Sequence, residues 1–371
     1  MVTPIRRRVR ALARRVRTAR ALARAFKSKR HPILAQIVPI RRCNLSCTYC
    51  NEFDRVSAPV PTERMLDRID RLAALGTTMI DFSGGEPMLH PDLDALIGRV
   101  RRHGILAGLL TNGYLLNPDR IERLNGAGLD RLQISVDNVT PDDVSKKSLR
   151  VLDKKLQLLA EHAEFDVNIN TVLGADVRHP ADALLIARRA LALGFGTSVG
   201  LIHDGSGRLL PFDAVRAGVF REIAALNRTF YSHAHDTVYQ QNLIAGQPND
   251  WRCRAGARYL YVCEDGLVHL CSQQRGYPGV PLDRYGAEHL EREYSSPKPC
   301  APFCTVSCVH RVSLLDDLRE QPLDTLERLV EAHRRRGQAP PVTVRLLTWL
   351  FVTSSHRERF RRMALRAFRL G

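Results

Sequence analysis

The sequence lacks any uninterrupted apolar run of about 18 residues, so no part of it predicts a membrane-spanning helix. It also lacks a secretory signal, because its first residues carry arginines throughout and contain no apolar core segment. Nine cysteines, an odd number in a chain without such a signal, favour thiols that hold metal over disulfides. We therefore expect a cytoplasmic protein.

Acidic residues are missing from the start of the chain. Residues 1–30 carry twelve Lys and Arg but no Asp or Glu, and residues 343–371 carry seven Arg and one Glu. Subtracting both segments from the total of +17 leaves −1 for residues 31–342. The basicity therefore lies in two terminal arms, and a binding groove for specific nucleic acid is not indicated.

Both arms place apolar residues at helical spacing between arginines, which predicts amphipathic helices. A basic amphipathic helix is typical of membrane surfaces, so we expect peripheral contact with the inner membrane face. The alternatives are packing on the protein's own body, a partner protein, or loose contact with RNA. The apolar positions are Ile5, Val9, Leu12, Val16, Leu22 and Phe26 in the first arm, and Leu346, Leu347, Leu350, Phe351, Phe360, Met363 and Phe368 in the second.

Between the arms, short apolar strands alternate with amphipathic helices. This alternation predicts an α/β fold with a parallel sheet, whose functional side chains lie at the carboxyl ends of the strands. Helices are expected to begin near Thr62, Pro91, Pro118, Asp142 and Pro180. The predicted strands are 35–40, 78–82, 105–111, 131–136, 165–172 and 197–203.

Three cysteines follow the first strand at C-x3-C-x2-C spacing, Cys43, Cys47 and Cys50. Three thiolates can hold three irons of a cubane [4Fe–4S] cluster and leave the fourth iron open to a substrate or cofactor. The alternatives are a zinc knuckle or three buried thiols. Zinc would need a fourth Cys or His nearby, and none follows in this loop, so the spacing favours an iron–sulfur site.

Further motifs appear in order after the cysteines. Tyr49 precedes the last cysteine, and the segments 82–87 (FSGGEP), 111–113 (TNG) and 133–137 (QISVD) follow. With the cysteine run, they resemble the radical S-adenosylmethionine (SAM) superfamily. The resemblance implies an open, partial (β/α)6 TIM-like barrel.

The resemblance also implies roles for individual residues. Cys43, Cys47 and Cys50 would hold the cluster, and SAM would bind its open iron. Reduction, by a donor such as flavodoxin or ferredoxin, would cleave SAM to a 5′-deoxyadenosyl radical that abstracts hydrogen from a substrate. No general acid or base is identified by the sequence. The expected cofactor-binding residues are Tyr49, Gly84, Gly85, Glu86, Asn112, Ser135, Asp137 and Asn170.

A second cysteine group lies between residues 253 and 308. The spacing from Cys253 through Gly266 to Cys271 resembles the opening of a SPASM or twitch extension, which implies at least one auxiliary [4Fe–4S] cluster. We expect its ligands to be Cys253, Cys271 and two of the last three cysteines. Cys263 is either a ligand of a second cluster or a simple strand residue, and a zinc site remains the alternative. The last three cysteines are Cys300, Cys304 and Cys308.

These features divide the chain into four segments: a basic amphipathic arm (1–30), a radical SAM barrel (31–246), a SPASM/twitch-like domain (247–312) and an extension with a basic amphipathic helix (313–371). The leading hypothesis is a radical SAM enzyme acting on a lipid or small metabolite at a membrane surface. The alternatives are a peptide- or protein-modifying maturase, a cyclase resembling the molybdopterin-precursor enzyme, an iron–sulfur scaffold or electron carrier, and an RNA-binding regulator. The short segment before residue 34 leaves no room for a leader-peptide-binding domain, which weakens the peptide alternative.

Overall fold

The computed structural model describes residues 4–175, 177–203, 209–226 and 233–335, with a few single positions between 337 and 348. The apolar positions predicted for the C-terminal arm, from 346 to 368, lie outside the described residues.

One nine-stranded sheet organises the chain, in the order β6-β5-β4-β3-β2-β1-β7-β8-β9. β1 to β6 run parallel, β7 joins β1 in parallel, and β8 and β9 are antiparallel additions. Because β6 and β9 form the two ends, the sheet is an unclosed partial barrel, which confirms the predicted fold class. The strands are β1 (Leu34–Ile40), β2 (Met79–Gly84), β3 (Leu106–Thr111), β4 (Arg131–Ser135), β5 (Asp166–Leu173), β6 (Gly196–Leu201), β7 (Tyr259–Val262), β8 (Leu267–His269) and β9 (Pro278–Pro281).

Helices connect the parallel strands and continue beyond β6. A π-helical segment, His233–Gln240, runs directly into a short α-helix, Gln241–Ile244. None of the helices in the described ranges is both long and apolar enough to cross a bilayer. The helices are α1 (Pro4–Lys27), α2 (Thr62–Ala74), α3 (Leu93–Arg102), α4 (Pro118–Ala127), α5 (Leu149–His162), α6 (Ala181–Ala192), α7 (Ala214–Leu226), α8 (Gln241–Ile244), α9 (Ala287–Ser295), α10 (Ser307–Glu320) and α11 (Pro322–Arg335).

The start predicted for α5 near Asp142 is wrong. The Asp142 carboxylate accepts hydrogen bonds from the backbone N–H groups of Val144 and Ser145, at 2.9 and 2.8 Å, and so closes a turn. The helix begins at Leu149, where the Ser148 hydroxyl accepts from the N–H of Val151. Asp can cap either a turn or a helix, so the sequence pattern does not distinguish the two.

The two faces of the sheet differ in polarity because side chains alternate along each strand. Ile37, Ile80 and Ile134 are fully buried in the main hydrophobic core with α2 to α5. Their neighbours in sequence, including Gln36 and Asp81, line a cavity inside the barrel. The fold therefore places apolar side chains under the helices, and it places polar strand residues such as Gln36 and Asp81, together with apolar ones such as Met79, around the barrel lumen.

Helix α1 lies across the amino ends of the central strands. Arg17 forms an ion pair of 2.6 Å with Asp130, just before β4, and Arg10 forms one of 2.8 Å with Glu164, just before β5. At the far end of the helix, the guanidinium of Arg258 donates to the Ala25 carbonyl at 2.7 Å. The predicted N-terminal helix is present, and its inward side packs on the protein's own body.

Candidate functional site

The loop that carries the first three cysteines leaves the carboxyl end of β1. Backbone hydrogen bonds from Cys43 to Asp54 (3.0 Å) and from Asp54 to Arg41 (3.1 Å) join its two ends. The N–H of Thr48 also donates to the carbonyl of Val144 at 3.1 Å. The three cysteines therefore lie in a closed loop that is attached to the segment after β4.

Two glycines allow β2 to pass close beneath this loop. Gly84 has a φ of +110°, and a Cβ on Gly85 would lie 2.2 Å from the Arg41 carbonyl oxygen and 2.4 Å from that of Arg42. Only glycine fits such an approach. The next residue, Glu86, then donates its N–H to the Arg42 carbonyl at 3.0 Å. The Gly-Gly pair thus fixes Glu86 directly against the cysteine loop.

The Glu86 side chain is fully buried and accepts three hydrogen bonds. Its donors are the Thr111 hydroxyl (2.7 Å), the Asn112 N–H (2.8 Å) and the Met88 N–H (3.1 Å). Burial raises the pKa of Glu86, while the donors from Asn112 and Thr111 act in the opposite direction. A carboxylate has about four acceptor positions, so one remains for a ligand's amino group.

Asn112 connects Glu86 to the cysteines. Its side-chain amide donates to Asn44 Oδ1 at 2.7 Å and lies 3.7 Å from Cys43 Sγ. Glu86, Asn112 and the cysteine loop therefore form one continuous contact network at the carboxyl ends of β1, β2 and β3.

Asp137, which follows β4, has one occupied and one unoccupied carboxylate oxygen. Oδ2 accepts from the Tyr49 hydroxyl, from Ser145 Oγ at 2.7 Å and from Lys147 Nζ at 3.0 Å. Oδ1 is buried and has no hydrogen-bond partner. A buried acceptor without a partner is costly, and a ribose hydroxyl of SAM would supply the missing donor. The residues present therefore fit the nucleoside that the sequence predicts here.

Lys147 and Ser145 were not found by the sequence analysis, because they belong to no motif. Ser145 Oγ lies 3.5 Å from Cys47 Sγ and so links that cysteine to Asp137. Burial favours the neutral amine of Lys147, but Asp137, followed by Tyr49, holds its pKa well above the ordinary value. Lys147 is therefore a buried cation beside the predicted nucleoside position.

Ser135 and Asn170 occupy the strands below Asp137. They are paired in the register of β4 and β5, and Asn170 Oδ1 accepts from Ser198 Oγ at 2.9 Å. The flanking Ile134 and Val136 are fully buried in the helical core. Ser135 and Asn170 thus face the barrel interior. Glu86, Asn112 and Asp137 lie around the cysteine loop, to which Tyr49 belongs. Their roles in cofactor binding stay predictions.

Most of the second cysteine group is shielded from water, and Cys300 is its exposed member. Burial raises the pKa of Cys253 to about 12, and the nearby thiols of Cys304 and Cys300 add to this rise. Burial, then the thiols of Cys304 and Cys253, raises the pKa of Cys271. The same cause raises the pKa of Cys308 to about 12, and Cys308 also lines the lumen cavity. The thiols are therefore close to one another, and the group borders the barrel interior.

Cys263 stands apart from that group. Its ligand atom lies within 4.8 Å of those of Asp265 and His269, and no other such triad occurs in the described part of the chain. The N–H of Gly276 donates to His269 Nδ1 at 2.9 Å, so a neutral ring carries its proton on Nε2. This nitrogen then carries a proton and is not free to bind a metal, so the contacts favour Cys263, which directly follows β7, as a residue that holds no cluster.

The spacing of the other cysteines does not suit a single zinc ion. Tetrahedral zinc brings its sulfurs to ~3.8 Å from one another. Neither cysteine group brings three sulfurs within 4.8 Å of one another in the described ranges. A cubane cluster holds each thiolate on a separate iron and spreads the sulfurs farther. The described residues thus form no compact zinc site of three sulfurs, and the auxiliary iron–sulfur cluster stays a prediction.

Residues 37–198 match the family model described as the Radical SAM superfamily. A PqqA peptide cyclase from Ruegeria pomeroyi is 36% identical over 259 residues, which cover 66% of this chain and 68% of the relative. A GTP 3′,8-cyclase from Klebsiella pneumoniae is 32% identical over 302 residues, covering 74% and 89%. The chain belongs to the radical SAM superfamily. A third relative, the PqqA peptide cyclase of Gluconobacter oxydans, is 40% identical, but its match spans only 29% of this chain and 30% of that protein.

Solved radical SAM structures share the fold. SuiB from Streptococcus suis superposes with a TM-score of 0.55 at 16% identity, over 72% of this chain and 67% of SuiB. The structure of anSMEcpe with bound AdoMet and a peptide superposes with a TM-score of 0.52 at 13% identity, over 82% and 98%. Family membership confirms the predicted cofactors, a [4Fe–4S] cluster and SAM, and the C-terminal cysteine group is consistent with an auxiliary cluster.

Proposed function

We propose that this radical SAM chain is a peptide-modifying enzyme. The observation that carries the proposal is a row of three amides, Gln133, Asn168 and Asn170, along a barrel cavity of about 1190 Å³. The cavity extends from the strands of the barrel to α10, where Cys308 lines it. Its lining includes neither Glu86 nor Asp137, so a substrate held there must reach up toward the cysteine loop, as an extended segment of chain can.

The walls of the cavity suit a peptide as well. Asn168 donates to Ser198 Oγ at 2.8 Å and lies 3.5 Å from Gln133 Oε1, and Ser198 donates in turn to Asn170. These bonds use only part of the donors and acceptors that the three amides carry, so the remainder can pair with peptide groups. Apolar residues such as Phe26 and Leu315 border the side toward α1 and α10 and would receive side chains.

Much of the lumen wall is apolar, but a lipid substrate, the first hypothesis from the sequence, would leave its polar side chains without partners. An acyl or polyprenyl chain would cover the amides of Gln133, Asn168 and Asn170 without offering them a hydrogen bond, which is costly. The relatives' names also support a peptide. Two of those compared are named PqqA peptide cyclase, and SuiB has been crystallised with its precursor peptide SuiA.

In this proposal, each described residue has a definite task. Cys43, Cys47 and Cys50 would hold the cluster. Bound SAM supplies a carbon-centred radical when an electron, from a donor such as flavodoxin or ferredoxin, reduces the cluster. Glu86 would accept a hydrogen bond from the amino group of SAM. Asp137 would accept a ribose hydroxyl through Oδ1.

Burial of the site would keep water away from the reaction. Glu86 and Asp137 are 0% and 4% exposed, so water is excluded from the side of the site that faces the sheet. Cys253, Cys271 and two of the last three cysteines would hold the auxiliary cluster at the border of the lumen.

A nucleotide cyclase is the second candidate, because the GTP 3′,8-cyclase match covers 89% of that relative. A triphosphate needs several unpaired cations. Three arginines line the described lumen: Arg131 is bonded to Asp81, Arg311 lies 3.7 Å from Asp236, and Arg7 donates to the Ala160 carbonyl at 2.9 Å. Because two of the three lie beside carboxylates, the lumen supplies little net positive charge, which favours the peptide proposal.

The test measures 5′-deoxyadenosine by chromatography after anaerobic reconstitution with iron and sulfide and addition of SAM and dithionite. A synthetic peptide library, GTP and phospholipid vesicles are compared as substrates, and peptides are examined by mass spectrometry for loss of hydrogen. We expect product that depends on Cys47 and rises with peptides. Asn168→Ala should reduce the rise but not the product formed without peptide.

Two outcomes would contradict the proposal. If only GTP or only vesicles increased product formation, the proposed peptide substrate would be wrong, although the radical chemistry would still be supported. No product from cluster-loaded protein would favour a scaffold or electron carrier.

A further inference from the structure

Helix α1 turns three of its arginines toward the protein. Arg10 bonds Glu164 at 2.8 Å, Arg17 bonds Asp130 at 2.6 Å, and Arg14 Nε donates to Asp166 at 2.7 Å. Glu164 and Asp130 are 1% and 4% exposed, so these pairs fix the inward side of the helix on the body. The arginines at positions 10, 14 and 17 are therefore neutralised within the chain.

The opposite side of α1 is apolar and faces solvent. Val9, Leu12 and Val16 are 62%, 64% and 43% exposed, and their spacing of three and four residues places them on one stripe. Ala19 and Ala23 are also exposed and continue the stripe by the same spacing. A helix of a globular protein normally turns such a stripe to the core. Here the outer stripe, defined as these five residues, is uncovered among the described residues.

Positive charge flanks the outer stripe. Arg15, Arg20, Arg24 and Lys27 are exposed, and residues 1–30 contain no acidic side chain. At the carboxyl end of the helix, Arg20, Arg24 and Lys27 line an open cleft together with Arg30 and His31. An apolar stripe between long basic side chains is the arrangement of a helix that lies in a lipid interface.

We propose that the outer stripe of α1 docks on an anionic phospholipid surface. Charge favours a phospholipid surface over two other occupants of the stripe, the C-terminal extension and a second copy of the chain. The C-terminal extension, residues 343–371, carries a net charge of +6, and a second copy would present the same basic flanks. Both would be repelled by Arg15, Arg20 and Arg24, whereas phosphate headgroups would be attracted.

Docking would orient the whole enzyme. Because α1 crosses the amino ends of the strands, the bilayer would lie below the barrel, and the cysteine loop would lie at the opposite end. An electron donor could then reach the loop without crossing the lipid surface. The inference concerns location only and does not depend on the proposed peptide chemistry.

The test is co-sedimentation of the full-length, cluster-loaded protein with vesicles of phosphatidylcholine alone or mixed with phosphatidylglycerol. We expect binding only to the mixed vesicles and weaker binding as salt rises. The double variant Leu12→Gln/Val16→Gln should lower the partition coefficient by about tenfold or more, because two apolar side chains leave the interface. Arg15→Gln/Arg20→Gln should flatten the salt dependence.

The matched control is Val215→Gln on α7, which is 64% exposed and far from α1 in sequence. It should bind like the unaltered protein. The proposal would be overturned if the protein did not bind mixed vesicles at low salt. It would also be overturned if the stripe variant bound as well as the unaltered protein, because binding would then be assigned to the C-terminal extension. If sedimentation velocity showed a dimer of the unaltered protein that the stripe variant does not form, the stripe would instead be assigned to contact with a second copy.

Discussion

Lys147 offers the sharpest test of the predicted nucleoside position. Its Nζ lies 3.0 Å from Asp137 Oδ2, and the two side chains are 12% and 3% exposed. Removing one partner of a buried ion pair costs roughly 3–5 kcal/mol. Asp137 would keep its bonds from Tyr49 and Ser145, so we expect about 2–3 kcal/mol of destabilisation for Lys147→Met. Methionine preserves most of the side-chain volume, so the effect reports the lost charge.

The same change should weaken SAM binding. Without the cation, Asp137 Oδ2 keeps only its bonds from Tyr49 and Ser145, so Oδ1 is held less firmly toward the ligand. The loss of one charge-assisted hydrogen bond, about 1.5–3 kcal/mol, corresponds to a roughly tenfold to hundredfold higher Kd. Isothermal titration of SAM into the reconstituted protein under anaerobic conditions measures this, and thermal unfolding measures the stability.

Lys146→Met is the matched control, because Lys146 is the preceding residue and its side chain is exposed. It should change neither quantity, and Lys147→Arg should recover part of the SAM affinity by restoring the charge. If Lys147→Met bound SAM as tightly as the unaltered protein while losing stability, Lys147 would be a structural residue only. The assignment of Asp137 to the ribose would then lose its support.

Three further predictions concern stability and the auxiliary site. Arg258→Met should cost about 3 kcal/mol, the lower end for a buried pair, because Asp316 loses the guanidinium at 2.8 Å but keeps Arg319 at 3.1 Å; Arg258→Met/Asp316→Leu should recover part of this in thermal unfolding. Burial, then Arg258, lowers the pKa of His31 to about 4, so the unfolded chain binds a proton that the folded chain does not as the pH falls from 6.5 to about 4. Up to about 3 kcal/mol should be lost across that window, and His31→Gln should flatten the loss. Cys271→Ala should reduce iron and sulfide content, whereas Cys263→Ala should leave it unchanged; equal losses would make Cys263 a ligand.

The sequence predicts the parallel strands well because their apolar alternation is local. It also identifies Glu86, Asn112 and Asp137, because these residues belong to motifs that follow strand ends. It does not identify Lys147, which reaches the site through a loop whose path depends on tertiary contacts. Nothing in the local pattern distinguishes this lysine from its exposed neighbour Lys146.

The orientation of α1 also could not be predicted. The amphipathic pattern shows that the helix has an apolar and a basic side, but it does not show which side packs inward. Arg17 and Arg10 pair with Asp130 and Glu164, which lie more than a hundred residues away, just before β4 and β5. Buried carboxylates need a cation, so they select the basic side and leave the apolar side outside.

The first cysteine loop and the hairpin of β7 and β8 are in direct contact. β7 pairs in parallel with β1, the strand that leads into the loop. The Tyr261 hydroxyl donates to Glu52 at 2.7 Å, and Arg41 contacts Glu264 at the hairpin turn at 3.3 Å. Because Cys271 lies just after β8, these contacts connect the proposed auxiliary site to the first cysteine loop. This connection suits two proposed clusters that act on one bound substrate.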